Sequence, residues 1–140
     1  MNLGQFAKRI RDIGTQVPRR ANAAVRKAAI AIDHALVLTT PVDTGRARSN
    51  WLASQGSPTG SEVMPTSAQA AIAAAEAAIG TSPPVGAGGP AEGDLTIFIT
   101  NNVDYIEFLN QGSSAQAPAG FVEAAVQIGD RFLANARLVP

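Results

Sequence analysis

The chain has 140 residues, the usual size of one domain. Its hydrophobic fraction of 46% suffices for a core, though much of it is alanine, so five Phe, one Trp and one Tyr must supply the bulk. The absence of cysteine excludes disulfides and thiolate metal sites and fits a reducing compartment. Net charge is zero but unevenly spread: residues 1–50 hold nine Lys or Arg against three Asp (+6), and residues 51–140 hold two Arg against eight Asp or Glu (−6).

Two readings of that asymmetry stand side by side. The two faces neutralise each other within one fold, or the basic face of one subunit meets the acidic face of its neighbour, as in head-to-tail rings. Lys8, Arg9 and Arg11 are not followed by the apolar run of a signal peptide. No stretch reaches the ~18 apolar residues of a membrane span. The expectation is a soluble chain made in a cytoplasm, with no membrane partner.

In chain order, Leu3, Phe6, Ile10, Ile13 and Val17 recur at helical spacing and predict a first helix that Gly14 weakens and Pro18 interrupts. A second helix is expected over 18–39, with Pro18 in its first turn. Val25, Ala28, Ile32, Ala35 and Leu36 form its buried face, and Arg19, Arg20, Arg26 and Lys27 its solvent side. Thr39-Thr40-Pro41 stops it. Pro41 to Gly45 reads as a turn in which Asp43 bonds downstream backbone and Gly45 takes a positive φ. Residues 46–55, with Trp51 and Leu52, read as a strand, which would place Arg46 and Arg48 on the same side of it.

Residues 56–93 differ in character. They are rich in Gly, Pro, Ser and Ala, and read as an insertion that need not pack in the core. It holds a short Ala-rich helix over 66–79, capped by Thr66 or Ser67 and ended by Gly80, then a flexible stretch over 81–93. Residues 94–100 (DLTIFIT) are the clearest strand, and their expected partner is the strand before the insertion, antiparallel. A short helix over 103–111 ends at Gly112, a loop with Pro118 follows, and a last helix runs over 121–138. On it Phe121, Ala125, Ile128, Phe132 and Ala136 share a side. The fold class is α+β: a small antiparallel sheet packed by N-terminal and C-terminal helices, with a flexible Ala/Gly/Pro-rich insertion, in a single domain over 1–140.

Little in the sequence points to a reaction. His34 is the single histidine, and its neighbour Asp33 cannot face one site with it on a helix. No nucleophile elbow, zinc or calcium pattern is present. The glycine-rich residues 85–90 lack the Lys-Ser/Thr of a phosphate loop. Asp104 and Glu107 share a face of a short helix, where a solvated pair is commoner than an acid–base pair. Arg19, Arg20, Arg26 and Lys27 form a modest basic patch for nucleic acid or a neighbouring subunit. The expectation is a protein that is not an enzyme and takes no cofactor or metal.

Two segments carry a resemblance. Residues 40–51, TPVDTGRARSNW, and residues 105–122, YIEFLNQGSSAQAPAGFV, resemble the opening and closing motifs of the neck and tail-completion (minor tail) proteins of long-tailed bacteriophages. The motifs stand in the expected order and, outside 56–93, the resemblance covers nearly the whole chain. It implies a structural virion protein of the head-to-tail junction. Such a subunit forms a homo-oligomeric ring against connector, neck and tail-tube or terminator proteins, with DNA passing through its channel. Its structural positions would be Pro41, Asp43, Thr44, Gly45, Trp51, Tyr105, Gly112, Pro118, Gly120 and Phe121, with Tyr105, Phe108 and Phe121 closing the core. Arg19, Arg20, Arg46 and Arg48 are candidate assembly contacts. A tail terminator capping the tube is the alternative within this class. A small DNA-binding or regulatory protein is the alternative outside it.

Overall fold

The computed structural model of the protein describes residues 2–80 and 95–137, and for residues 12–16 the backbone alone. Helix α1 spans Leu3–Thr39, α2 Arg46–Ser49, strand β1 Leu52–Gln55, α3 Ala68–Ile79, β2 Ile97–Thr100, α4 Ile106–Asn110 and α5 Phe121–Ala134. The α+β class is as expected from the sequence. The two strands pair antiparallel in a two-stranded sheet, Leu52 opposite Thr100 and Gln55 opposite Ile97.

Helix α1 begins with a capping box. The Asn2 side chain accepts the Gln5 N–H at 2.9 Å, and the Gln5 side chain accepts the Asn2 N–H at 3.0 Å. The helix then continues for 37 residues, through Pro18. The expected break into two helices is therefore corrected. Proline removes one N–H and one ladder bond, but beyond it α1 is held by packing on α5 and α3, and before it by the capping box. One lost bond does not end so well supported a helix. The helix stops at Thr40, whose extended backbone (φ −64°, ψ 128°) suits a residue preceding proline.

The core gathers where the C-terminal end of α1 meets α5, α3 and the sheet. Leu36, Val37, Trp51, Ala71, Ala117, Phe121 and Ala125 form it, with Ile32, Ile99, Ile106 and Leu109 packed against it. Fully burying the larger of these, Leu36, Val37 and Phe121, contributes on the order of 1.5–3 kcal/mol each, and the alanines less. Helix α5 runs antiparallel to α1. Its first turns lie in the core with Leu36 and Val37, and its last turns lie beside Arg20 and Ala24. The two helices come close at Gly129, where a Cβ would sit 2.3 Å from the end of the Ile32 side chain.

Three further expectations change. Residues 46–49 are a helical turn rather than the start of a strand, because Ser49 N–H bonds back to Gly45 and the Asn50 amide caps the turn. The second strand begins at Ile97, with Leu95 and Thr96 before it. One more ladder bond, from Gly56 N–H to the Thr96 carbonyl, marks where pairing ends. The short and last helices are trimmed to α4 and α5 as bounded above; Asp94 and Leu138 lie outside the described residues.

The inserted region, which was expected not to need packing in the core, contributes to it through α3. Ser67 caps α3 by accepting the Ala70 N–H at 3.1 Å. Ala71, Ala75 and Ile79 of α3 are buried, Ile79 completely. Its last carbonyls are capped from outside. Arg26 donates from Nη1 to the Ile79 oxygen at 2.6 Å, and Gln55 donates from Nε2 to Ala78 and Ile79 at 3.1 and 3.0 Å. Arg26, expected on the solvent side, is thus half-buried against α3. The stretch expected to be flexible, 81–93, lies outside the described residues.

Candidate functional site

The two motifs that carry the resemblance meet in one corner of the molecule. Gln116 from the second grips Val42 of the first with both ends of its amide: Oε1 accepts the Val42 N–H at 2.8 Å and Nε2 donates to the Val42 carbonyl at 2.9 Å. Between them lies a hollow of about 100 Å³, walled by Pro41 to Ala47 on one side and by Tyr105, Leu109, Ser114 and Gln116 on the other. Two segments 74 residues apart in sequence are thereby paired as a sheet edge would be, by one side chain.

The first motif builds its own scaffold. Gly45 opens α2 with φ +84°, a conformation that L side chains adopt rarely, as its place after the turn predicts. Thr44, rather than Asp43, supplies the turn's side-chain bond, its hydroxyl accepting the Arg46 N–H at 3.3 Å; Asp43 is exposed. Pro41 is buried. The Trp51 indole donates to the Thr40 hydroxyl at 2.7 Å, and that hydroxyl donates in turn to the Leu36 carbonyl. Trp51 is thus a core anchor that ties strand β1 to the end of α1.

Arg46 and Arg48 were expected to project from a strand; both instead hold the loop after β1. Arg46 forms a two-point bond with Glu62, at 3.1 and 3.0 Å, reaches Asp104 at 3.5 Å and stands 5.5 Å from the centre of the Tyr105 ring. The hydrogen bond to Glu62 raises the Arg46 pKa from its ordinary value, so the group stays cationic. Arg48 donates to the Thr66 carbonyl at 2.9 Å. These contacts neutralise basic and acidic halves within one fold, at this corner.

Asn50 and Ser49 complete the lock. Asn50 is fully buried; its Nδ2 donates to the Arg46 and Val63 carbonyls at 2.8 and 3.1 Å and its Oδ1 accepts the Val63 N–H at 2.7 Å. The Ser49 hydroxyl accepts the Thr66 N–H at 2.8 Å. Asn101 donates to the Ala47 carbonyl at 2.9 Å. Apart from the Arg46 carbonyl, four residues before Asn50, these partners are distant in sequence, so no local pattern announces them.

The second motif is capped at a distance. Gly120, with φ +82°, starts α5 without a side chain to cap it. Asn110 does so instead, its Oδ1 accepting the Val122 N–H at 2.9 Å and its Nδ2 donating to Glu123 at 3.0 Å. That bond holds the Glu123 carboxyl below its ordinary pKa. Phe121 is buried and Tyr105 half-buried, but Phe108 is 64% exposed and does not close the core. Gly112 follows α4 and packs near Ala119; Pro118 is exposed, beside buried Ala117.

Of the helical arginines, Arg19 is buried and therefore not an open contact. Arg20 lies with Lys27, Arg131 and Arg137 around a cleft of about 520 Å³ between α1 and the end of α5, floored by Ala23, Ala24 and Phe132. Among the described residues, no carboxylate lines it.

Asp33 was passed over in the sequence as the neighbour of His34. It is 1% exposed, and neither carboxylate oxygen has a hydrogen-bond partner. Burial pushes its carboxyl up to about 7, and the nearby Glu76 carboxylate adds to the rise. His34 faces outward to Glu76 at 3.1 Å. Among the described residues, no three His, Asp or Glu side chains are grouped to hold a metal ion, and no helix is long and apolar enough to cross a membrane. Compared with protein families, with curated proteins and with solved structures, the chain matches none.

Proposed function

We propose that the protein is a structural subunit of the head-to-tail junction of a long-tailed bacteriophage. It is a ring-forming neck or tail-completion component that joins connector to tail and lets DNA pass, with no catalytic role. The observation that carries this reading is the corner itself. The two segments whose sequences resemble the family's motifs are bonded to each other through Gln116 and Val42. They use their polar side chains to fix backbone rather than to assemble a reaction centre. The site of the protein in the virion, and its host-cytoplasmic stage before assembly, belong to this proposal.

The test is electron microscopy of lysates from a phage lacking the gene. The expected result is DNA-filled heads beside separate tails. Tails of abnormal length would move the protein to the terminator position at the tube's end. Normal infectious particles would overturn both assignments.

The basic cleft favours a second reading, a small DNA-binding or regulatory protein. Arg20, Lys27, Arg131 and Arg137 all line it, and such a group of cations suits phosphate. That reading requires the isolated protein to bind duplex DNA with an affinity that falls steeply with salt.

A further inference from the structure

Among the described residues, helix α1 outruns the body that it packs on. Helix α5 ends beside Arg20 and Ala24, while α1 extends back from there to Leu3, roughly 25 Å at 1.5 Å per residue. Residues 2–11 are exposed throughout. Leu3 is 86% exposed and Phe6 and Ile10 are each 54% exposed, and their spacing of three and four puts them on one face. Lys8, Arg9 and Arg11 against Asp12 leave this arm net positive.

A complementary surface lies on the other side of α5. Val126 and Leu133, 45% and 46% exposed, stand two turns apart on its outer face, with Glu123 and Asp130 beside them at helical spacing. Arg131, by contrast, points with Arg20 into the basic cleft. Helix α5 thus divides its charge, basic toward α1 and acidic outward. An arm carrying Lys8, Arg9 and Arg11 is repelled by the cleft and attracted to the outer face.

We infer that the arm of one copy docks on the outer face of α5 of a second copy, with Leu3, Phe6 and Ile10 over Val126 and Leu133, and Arg9 near Glu123 and Asp130. This inference rests on the ring reading and gives it an interface. Donor and acceptor surfaces differ, so the contact is heterologous and repeats in one direction until the ring closes. Three large apolar side chains fall short of the roughly 800 Å² that each partner contributes to a standard interface. One contact is therefore weak, and closure makes it durable.

The chain has no cysteine, so introduced pairs report cleanly. The full chain carrying both Phe6→Cys and Val126→Cys, concentrated and oxidised with copper phenanthroline, should give a ladder of cross-linked species ending in one closed size. Each single variant should stay largely uncross-linked. Arg9→Glu should weaken self-association roughly tenfold in sedimentation, and adding Asp130→Arg should restore it. Efficient dimers from Phe6→Cys alone would mean that arms pair with each other, and would overturn the inference. Rings visible by negative stain without the double-variant ladder would leave the ring reading standing and sink the arm. Monomers alone under all conditions would sink both.

Discussion

Helix α3 and the arm of α1 reverse what their sequences suggest. The arm has a clean apolar stripe of Leu3, Phe6 and Ile10, yet all three are exposed. The alanines of α3 give only a feeble pattern, yet Ala71, Ala75 and Ile79 are buried. The difference is one of shape and partner. Small side chains let α3 lie close on α1 and β1, where its terminal carbonyls find Arg26 and Gln55. Periodicity states that a face wants cover, but not whether the cover is in the same chain.

The contrast is measurable as stability. The largest effect should come from Trp51→Ala, at the centre of the packed side. It removes an anchor that touches the clusters of α1, α3 and α5, and should cost about 3–5 kcal/mol in urea unfolding. The Thr40 hydroxyl would also lose its donor.

Next is Asp33, buried on α1 where Glu76 of α3 adds its field. Its folded pKa, about 7, lies above its ordinary value of 3.8. The folded chain therefore binds more protons than the unfolded one between these values. Its stabilising contribution is full below the lower value and is lost as pH rises through the upper one. Unfolding at pH 5 and pH 8 should show Asp33→Asn gaining on the parent chain by on the order of 2–4 kcal/mol at the higher pH. An unchanged difference would mean that Asp33 is charged and partnered.

Ala75→Leu should cost about 1–3 kcal/mol by forcing α3 away from the core. A neutral result would show α3 to be loosely seated and would erase its side of the contrast. The smallest effect should come from Phe6→Ser, within about 0.5 kcal/mol for the dilute subunit. A loss several times larger would place the arm against its own body.

How far the sequence reached follows from the range of each signal. Gly45, the Ser67 cap and the antiparallel pairing of β1 with β2 were legible, because turn chemistry, capping and alternation act over a few residues. Pro18 misled, since a local breaker was outweighed by packing further along α1. Arg46 and Arg48 fitted a strand by alternation, whereas Asn50 and the Glu62 contact select a helical turn. Within the candidate site, Trp51, Gly45 and Phe121 were readable as large or special residues. Gln116, Asn110 and Asn50 were not, because each acts on backbone 12 or more residues away.

The long contact between α1 and α5 joins the first element of the chain to the last. A ribosome completes Thr39 about eighty residues before Phe121. At roughly 5–20 residues per second, α1 waits several seconds for its partner, with Leu36 and Val37 uncovered. During that interval the nascent chain shows apolar surface of the kind that aggregates. A copy truncated before Phe121 lacks the helix that covers that face.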